Sequence, residues 1–336
     1  LALDYPQEKL HFVFVTDGST DKTVSIVQNY SEITLLHHPE RKGKASAINR
    51  AMQDISTPIV IFSDANTVVH RDSVKRLVQH FNNEKVGGVS GEKQIAKEVA
   101  FVNAGERLYW QYESWLKKAN AQFFTVVGAA GELFAIRTAL YQPLDANVIL
   151  DDFIISAKVC GQGYRFLYEE GAIAIEKPSA SIKEEQKRKV RISAGCFQAL
   201  VLTKELLNPF KHPRLTFQYI SHRVLRWTVC PVALPLFFII NAYFFVIDSG
   251  VLYSALFWGQ CFFYFLAVCG WLAANKNIPS RIFFVPYYFV FMIVSQYKGF
   301  ARFVTKSQPA AWEKAARGAI TGHNSSFENF KAREKH

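Results

Sequence analysis

Short apolar runs alternate with amphipathic stretches through the first hundred residues, whereas long apolar runs dominate residues 229–305. His11–Val15, Ile33–Leu36, Pro58–Phe62 and Val86–Ser90 are β-branched and aromatic runs bounded by polar residues, the pattern of buried strands. Between them, Val24, Ile26 and Val27, then Ala45–Met52, then Ser73–Phe81 predict helices. Ser19, Thr20 or Asp21 suits the N-cap of the first. Strand-then-helix alternation predicts an α/β domain with a mostly parallel, doubly wound sheet.

Beyond residue 100 the alternation loosens. Glu106–Ala121 is an aromatic-rich helical segment, and residues 126–136 form a small-residue turn entering a strand. Asp151 and Asp152 open a helix to about Cys160, and Gly161–Tyr168 reads as a loop and strand. The opening residues Leu1–Pro6 read as the tail of a helix, so the chain is expected to begin inside a domain.

Val229–Ile247 and Val251–Leu272 each suit the roughly 20 residues of a bilayer crossing, and the 248–250 turn makes them a hairpin. Ile282–Val294, extended past Tyr297 to Phe303, is a third span with Pro286 inside it. Arg214, Arg223, Arg226, Lys276 and Arg281 flank the spans, which puts the first domain in the cytosol by the positive-inside rule. Three crossings would then place the basic tail with Lys306, Lys314, Arg317, Lys331 and Arg333 outside, against that rule. Ile192–Leu207 is expected to lie along the membrane, with Trp227 as an interfacial anchor. The expected divisions are 1–200 for the α/β domain, 201–228 for interfacial helices, 229–305 for two or three transmembrane helices, and 306–336 for a basic tail.

The 336 residues are 50% hydrophobic and carry a net charge of +11. Nucleic acid is not the expected partner, since zinc-knuckle spacing and an aromatic-basic ribonucleoprotein motif are both missing. A basic domain beside apolar spans fits anionic lipid. The five cysteines lack paired spacing and read as free thiols, and Asn324-Ser325-Ser326 reads as a chance sequon.

The chemistry gathers where strands end. Asp64 and Asn66 follow the third strand; two residues apart on an extended chain, they would offer two oxygens to one hard cation. Ligands of open α/β sheets bind beyond such carboxyl ends. Asp17, in Asp17-Gly18-Ser19-Thr20-Asp21, could accept from a nucleobase or ribose, or could serve only the turn. Lys44, after Gly43 at a helix N-terminus, could approach phosphate, or could be a solvated lysine. Asp151 and Asp152 suit a helix start on dipole grounds; as chemistry, one would be a general base for a hydroxyl nucleophile.

The order Asp-Gly-Ser-Thr-Asp, Lys-Gly-Lys-x-x-Ala-x-Asn, Asp-Ala-Asn, Gly-Ala-x-Gly and Asp-Asp resembles the membrane-bound family 2 glycosyltransferases of the GT-A (Rossmann-like) fold, such as bacterial polysaccharide synthases. The resemblance implies a nucleoside-diphosphate sugar, UDP-linked, as donor and a glycan or lipid-linked acceptor. It implies Asp17 on the uridine, with Ser19 and Lys44 also on the nucleotide, Asp64 and Asn66 on Mg or Mn and the diphosphate, Asp152 as base in an inverting transfer, and residues 128–131 beside the acceptor. It also implies a multi-pass protein of the cell membrane and a first strand ahead of this chain. The Q-x-x-R-W motif of processive synthases is matched only by residues 186–191, without the Trp, which points to transfer of one sugar or a short chain. Arg188 and Arg191 there could reach the diphosphate or face lipid. Trp312-x-Lys314-x-x-Arg317 recurs after the last span of similar enzymes. The rival expectation is a non-catalytic membrane subunit that keeps the fold; a transporter is disfavoured by spans nearly free of ionisable residues.

Overall fold

The computed structural model describes residues 3–95, 103–176, 179, 181–248, 250–276 and 281–309, with the backbone alone for residues 103–109 and 281. The basic tail beyond Pro309, with Trp312, Lys314, Arg317 and the Asn324 sequon, lies outside the described residues. Residues 3–6 are bends leading to a 3-10 turn, not the end of a helix.

β1 (Phe12–Asp17) and β2 (Ile33–His38) pair in parallel, joined by α1 (Thr23–Val27), whose first backbone N–H is capped by Asp21. α2 (Lys44–Gln53) leads to β3 (Ile59–Phe62), β4 (Thr67–Val69), α3 (Ser73–Val78) and β5 (Val86–Ile95). With β6 (Phe134–Arg137) and β7 (Arg165–Glu176), these strands form a sheet of order β3-β6-β5-β7-β4. β5 and β7 are parallel, but β6 runs against β3 and β5, and β4 against β7. This sheet is mixed, and the reason is where the chain re-enters it. After β5, α4 (Asn103–Phe123) and the turn before Phe134 return the chain to the carboxyl end of β5, so Phe134 starts opposite Ser90. The same end gathers the loops that carry the chemistry.

Strand alternation divides the core. Phe134 and Ile136 pack with Ile154, Phe166 and Val159 on one face, while Leu133 and Ala135 pack with Leu77 and Val89 on the other. α5 (Asp151–Gly161) buries Phe153, Ile154 and Ile155 in the first layer. That anchors the two aspartates at its start.

α6 (Ile182–Leu202) is capped by Ser181, whose Oγ accepts from the Glu184 N–H at 3.2 Å. It buries Val190, Ala194, Cys196 and Ala199 and stops at Thr203. The expected surface helix over 192–207 is thus the inner half of a helix that begins earlier and packs on both sides. α7 (Pro213–Tyr219) runs through a π turn at Ile220–Val224 into α8 (Leu225–Val246), followed by α9 (Val251–Asn275). Leu215 and Tyr219 of this stretch enter the core. Trp227, expected as an interfacial anchor, is buried against Phe153, with ring centroids 5.4 Å apart.

Among the described residues, the continuous helix Pro213–Val246 and helix Val251–Asn275 are long and apolar enough to cross a membrane. Their apolar side chains, including Phe237, Tyr243, Trp258, Phe262 and Trp271, point outward. The third expected span, α10 (Arg281–Val304), is not in that set and lies along α6. Phe284 and Tyr288 pack near Ile182, and Phe197 meets the rings of Phe300 and Phe303 at 4.9 and 6.1 Å. At Gly299 the helices touch so closely that a Cβ there would lie 2.4 Å from that of Ser193.

Candidate active site

The first two loops are built on each other. Asp17, at the end of β1, accepts from the backbone N–H of Lys42 (3.0 and 3.1 Å) and of Gly43 (2.7 Å). Gly43 needs its glycine, since its φ is +94°. The Asp17 carboxylate therefore shapes the loop that starts α2, with Ser19 half-buried in the adjoining turn. This local task is visible in the structure.

Lys44, the first residue of α2, ties three loops together. Its Nζ lies 2.8 Å from Asp64 Oδ1, after β3, and 3.0 Å from Asp151 Oδ2, at the start of α5. Burial alone would lower its pKa, but Asp151, Asp64 and Asp152 together push it up. The lysine stays charged. For Asp64, burial raises the carboxyl above its usual range despite the opposing pull of Lys44.

Asp152 is perturbed as well. Burial first, then the adjacent Asp151 and Glu132, raise its pKa to about 7, against opposing effects of Lys44 and the Phe153 N–H. That N–H donates to Asp152 Oδ1 at 2.8 Å. Glycine at 131 gives the acid room: a Cβ there would stand 3.2 Å from Asp152 Oδ2. Gly128, at φ +100°, lets the same turn pass over the Phe153 ring. A carboxylate poised near neutrality can take a proton from a hydroxyl, because both its protonation states are accessible at working pH.

Asp64 and Asn66 do not sit on an extended strand. β3 ends at Phe62, and the Thr67 N–H donates to the Asp64 carbonyl at 3.0 Å, which closes a turn. The turn sends Asp64 toward Lys44 and Asn66 toward Glu176, whose Oε1 accepts from Asn66 Nδ2 at 3.0 Å. The two arginines also separate. Arg191 donates to the Ile149 carbonyl at 3.3 Å and feels Asp151, Asp152 and Asp64 electrostatically. Arg188 lies 3.8 Å from Glu185 and stabilises the charge on Glu132, so it belongs to a neighbouring ion network.

That network contains residues the sequence reading missed. Buried Lys93 bonds both Glu132 and Glu176, with its ammonium 4.4 Å from the centre of the Trp110 ring. Burial would raise the Glu132 pKa, but Lys93 pulls it below its usual range. A signal was present. Val89 and Lys93 share one face of β5, as Ala172, Ala174 and Glu176 share one of β7. A charge at the apolar parity of a strand marks a buried pair.

Residues 2–144 match the family described as Glycosyl transferase family 2. The chain is 25% identical over 213 residues to the poly-beta-1,6-N-acetyl-D-glucosamine synthase of Staphylococcus aureus, covering 60% of this chain and 50% of that one. It is 26% identical over 231 residues to the probable glycosyltransferase YdaM of Bacillus subtilis, covering 63% and 53%. It thus spans about half the length of these curated relatives. Among solved structures, a mannosyltransferase from Pyrobaculum calidifontis, in complex with GDP-Man and Mn2+, superposes with a TM-score of 0.65 at 23% identity over 91% of this chain and 81% of that one. Over residues 2–144 the chain is therefore similar to family 2 glycosyltransferases, its fold is that of GT-A neighbours, and it resembles bacterial polysaccharide synthases.

Proposed function

We propose that the protein transfers a sugar, with inversion, from a UDP-sugar to a glycan or lipid-linked acceptor at the cell membrane. One observation carries this reading: Lys44 joins Asp64 and Asp151 while Asp152, beside them, has a carboxyl near neutrality. Asp152 would accept the proton of the acceptor hydroxyl as its oxygen attacks the anomeric carbon and the bond to the nucleoside diphosphate breaks. Lys44 and Arg191 would face the diphosphate, and the 41–43 loop held by Asp17 would border the nucleotide, with Ser19. The turn at 128–131 would border the acceptor.

A divalent cation fits the donor set. Asp64 and the carbonyl of Asn66 are two hard oxygens, and such ions take their remaining ligands from phosphate and water. Among the described residues no group of three or more His, Cys, Asp or Glu could cage a metal, so the protein share would be small. Mg or Mn bound there would stabilise charge growing on the leaving diphosphate.

The domain would face the cytosol, anchored by α8 and α9 as a multi-pass protein in contact with membrane lipid. Membranes containing the chain should transfer from one member of a panel of UDP-sugars, with GDP-mannose as a further donor. Asp152→Asn should lose about 10²–10⁴ in kcat while donor affinity changes little. Absence of transfer by the folded wild type from every donor would favour a non-catalytic subunit instead.

A further inference from the structure

The turn after β3 carries an amide where a second carboxylate would be the harder metal ligand, and Glu176 accounts for it. Glu176 is 2% exposed at the end of β7. Thr67, directly after Asn66, is its cross-strand neighbour, so the strand pairing itself places residue 66 against this acid. An ionised carboxylate only accepts, so the Asn66 amide must turn its Nδ2 to Glu176 Oε1, as it does at 3.0 Å. Its carbonyl oxygen is thereby turned away from the acid. Lys93 already serves Glu132 and Glu176 with one ammonium. A carboxylate at 66 would add a third negative charge beside the two acids that Lys93 bridges.

We propose that Glu176 is a positioning residue that dictates an amide at 66 and aims its carbonyl at the cation; this rests on the metal reading above. Outer partners of metal ligands commonly change metal affinity 10–100-fold. The chain would therefore bind its cation with Asp64 as the single formal negative charge of the turn.

The test is Mn2+ binding to the purified full chain with UDP, read as free Mn2+ by electron paramagnetic resonance, with no turnover needed. Asn66→Asp, at an exposed position, should weaken binding about tenfold or more although it supplies the harder ligand. Asn66→Asp combined with Glu176→Gln should recover most of that loss, because the glutamine can donate to the new carboxylate. Equal or tighter binding by Asn66→Asp overturns the proposal, as does a folded double variant no better than the single one. Should the double variant fail to fold, the single one decides. A wild type that binds no Mn2+ with UDP removes the metal reading itself, whereas normal wild-type binding with an indifferent Asn66→Asp removes only the role of Glu176.

Discussion

Asp152→Asn should make the protein more stable as well as inactive, and the gain should depend on pH. In the folded chain the Asp152 pKa is raised from 3.8 to about 7, chiefly by burial and then by Asp151. A carboxyl raised in this way favours the folded state fully only below its unfolded value near pH 4. That contribution is lost progressively as pH rises to 7 and is gone above it. At about 1.4 kcal/mol per pK unit, the shift sets a ceiling of about 4 kcal/mol above pH 7. An amide has no such penalty, so the variant should gain on wild type between pH 4 and 7 and hold a constant margin above. Tryptophan-detected melting in detergent at pH 5, 6, 7 and 8 would show the margin widening, on the order of 10 °C at the top. A margin that is flat across this range would refute the assignment of a raised pKa. The activity of wild type should fall about tenfold per pH unit below 7, since only the ionised acid accepts a proton.

Asp151→Asn should move that acidic limb to lower pH, because it removes the negative neighbour that raises Asp152; an unmoved limb in the pH–rate profile would contradict the coupling. Gly131→Ala puts a Cβ 3.2 Å from Asp152 Oδ2 and should lower kcat about tenfold in steady-state assays while the fold survives. Lys93→Met removes the buried ammonium shared by Glu132 and Glu176 and should cost about 3–5 kcal/mol in chemical denaturation.

Four of the five strands and the three helices described up to residue 95 were legible because their apolar periods are clean and their loops carry turn residues, whereas the three-residue β4 (Thr67–Val69) was too short to show a period. The direction of β6 was not, since nothing local to Phe134–Arg137 records that α4 and its turn return the chain to the carboxyl end of β5. Lys44, Asp64 and Asp151 were each visible in sequence as strand-end or helix-start residues, and the structure joins them through one ammonium. The geometry within the Asp64–Asn66 turn was misread for a physical reason. An i, i+2 argument holds on an extended chain, and the Thr67 N–H bond to the Asp64 carbonyl ends the extension. Trp227 misled in a different way: a tryptophan flanked by Arg223 and Arg226 has the composition of a membrane-surface residue, but Phe153 sits against its ring. Through that contact the root of α8 packs one residue away from the proposed base.

The contacts of α10 bear on the conflict between three crossings and a basic tail. A helix crossing beside a hairpin would touch both its partners along their length. α10 instead meets α8 near its start, where Gln296 Nε2 donates to the Trp227 carbonyl and the Tyr297 hydroxyl to that of Pro231. It meets α9 over its latter half, at Phe263 with Phe289 and at Gly270 with Phe283. Along α6 it packs from end to end. These contacts run α10 across the start of α8 and the latter half of α9, on the side of the α/β domain. Its outward face, with Ile282, Val285, Phe289, Tyr297, Phe300 and Val304 at helical spacing, would then rest in the bilayer interface. Cysteines introduced at Ser63 and Ser307, in a chain with its own cysteines replaced, should react with an impermeant maleimide from the same side of a sealed vesicle. One at Asp248 should react only from the other side. Labelling of residues 63 and 307 from opposite faces would mean that α10 crosses, and the positive-inside rule would then fail at the basic tail.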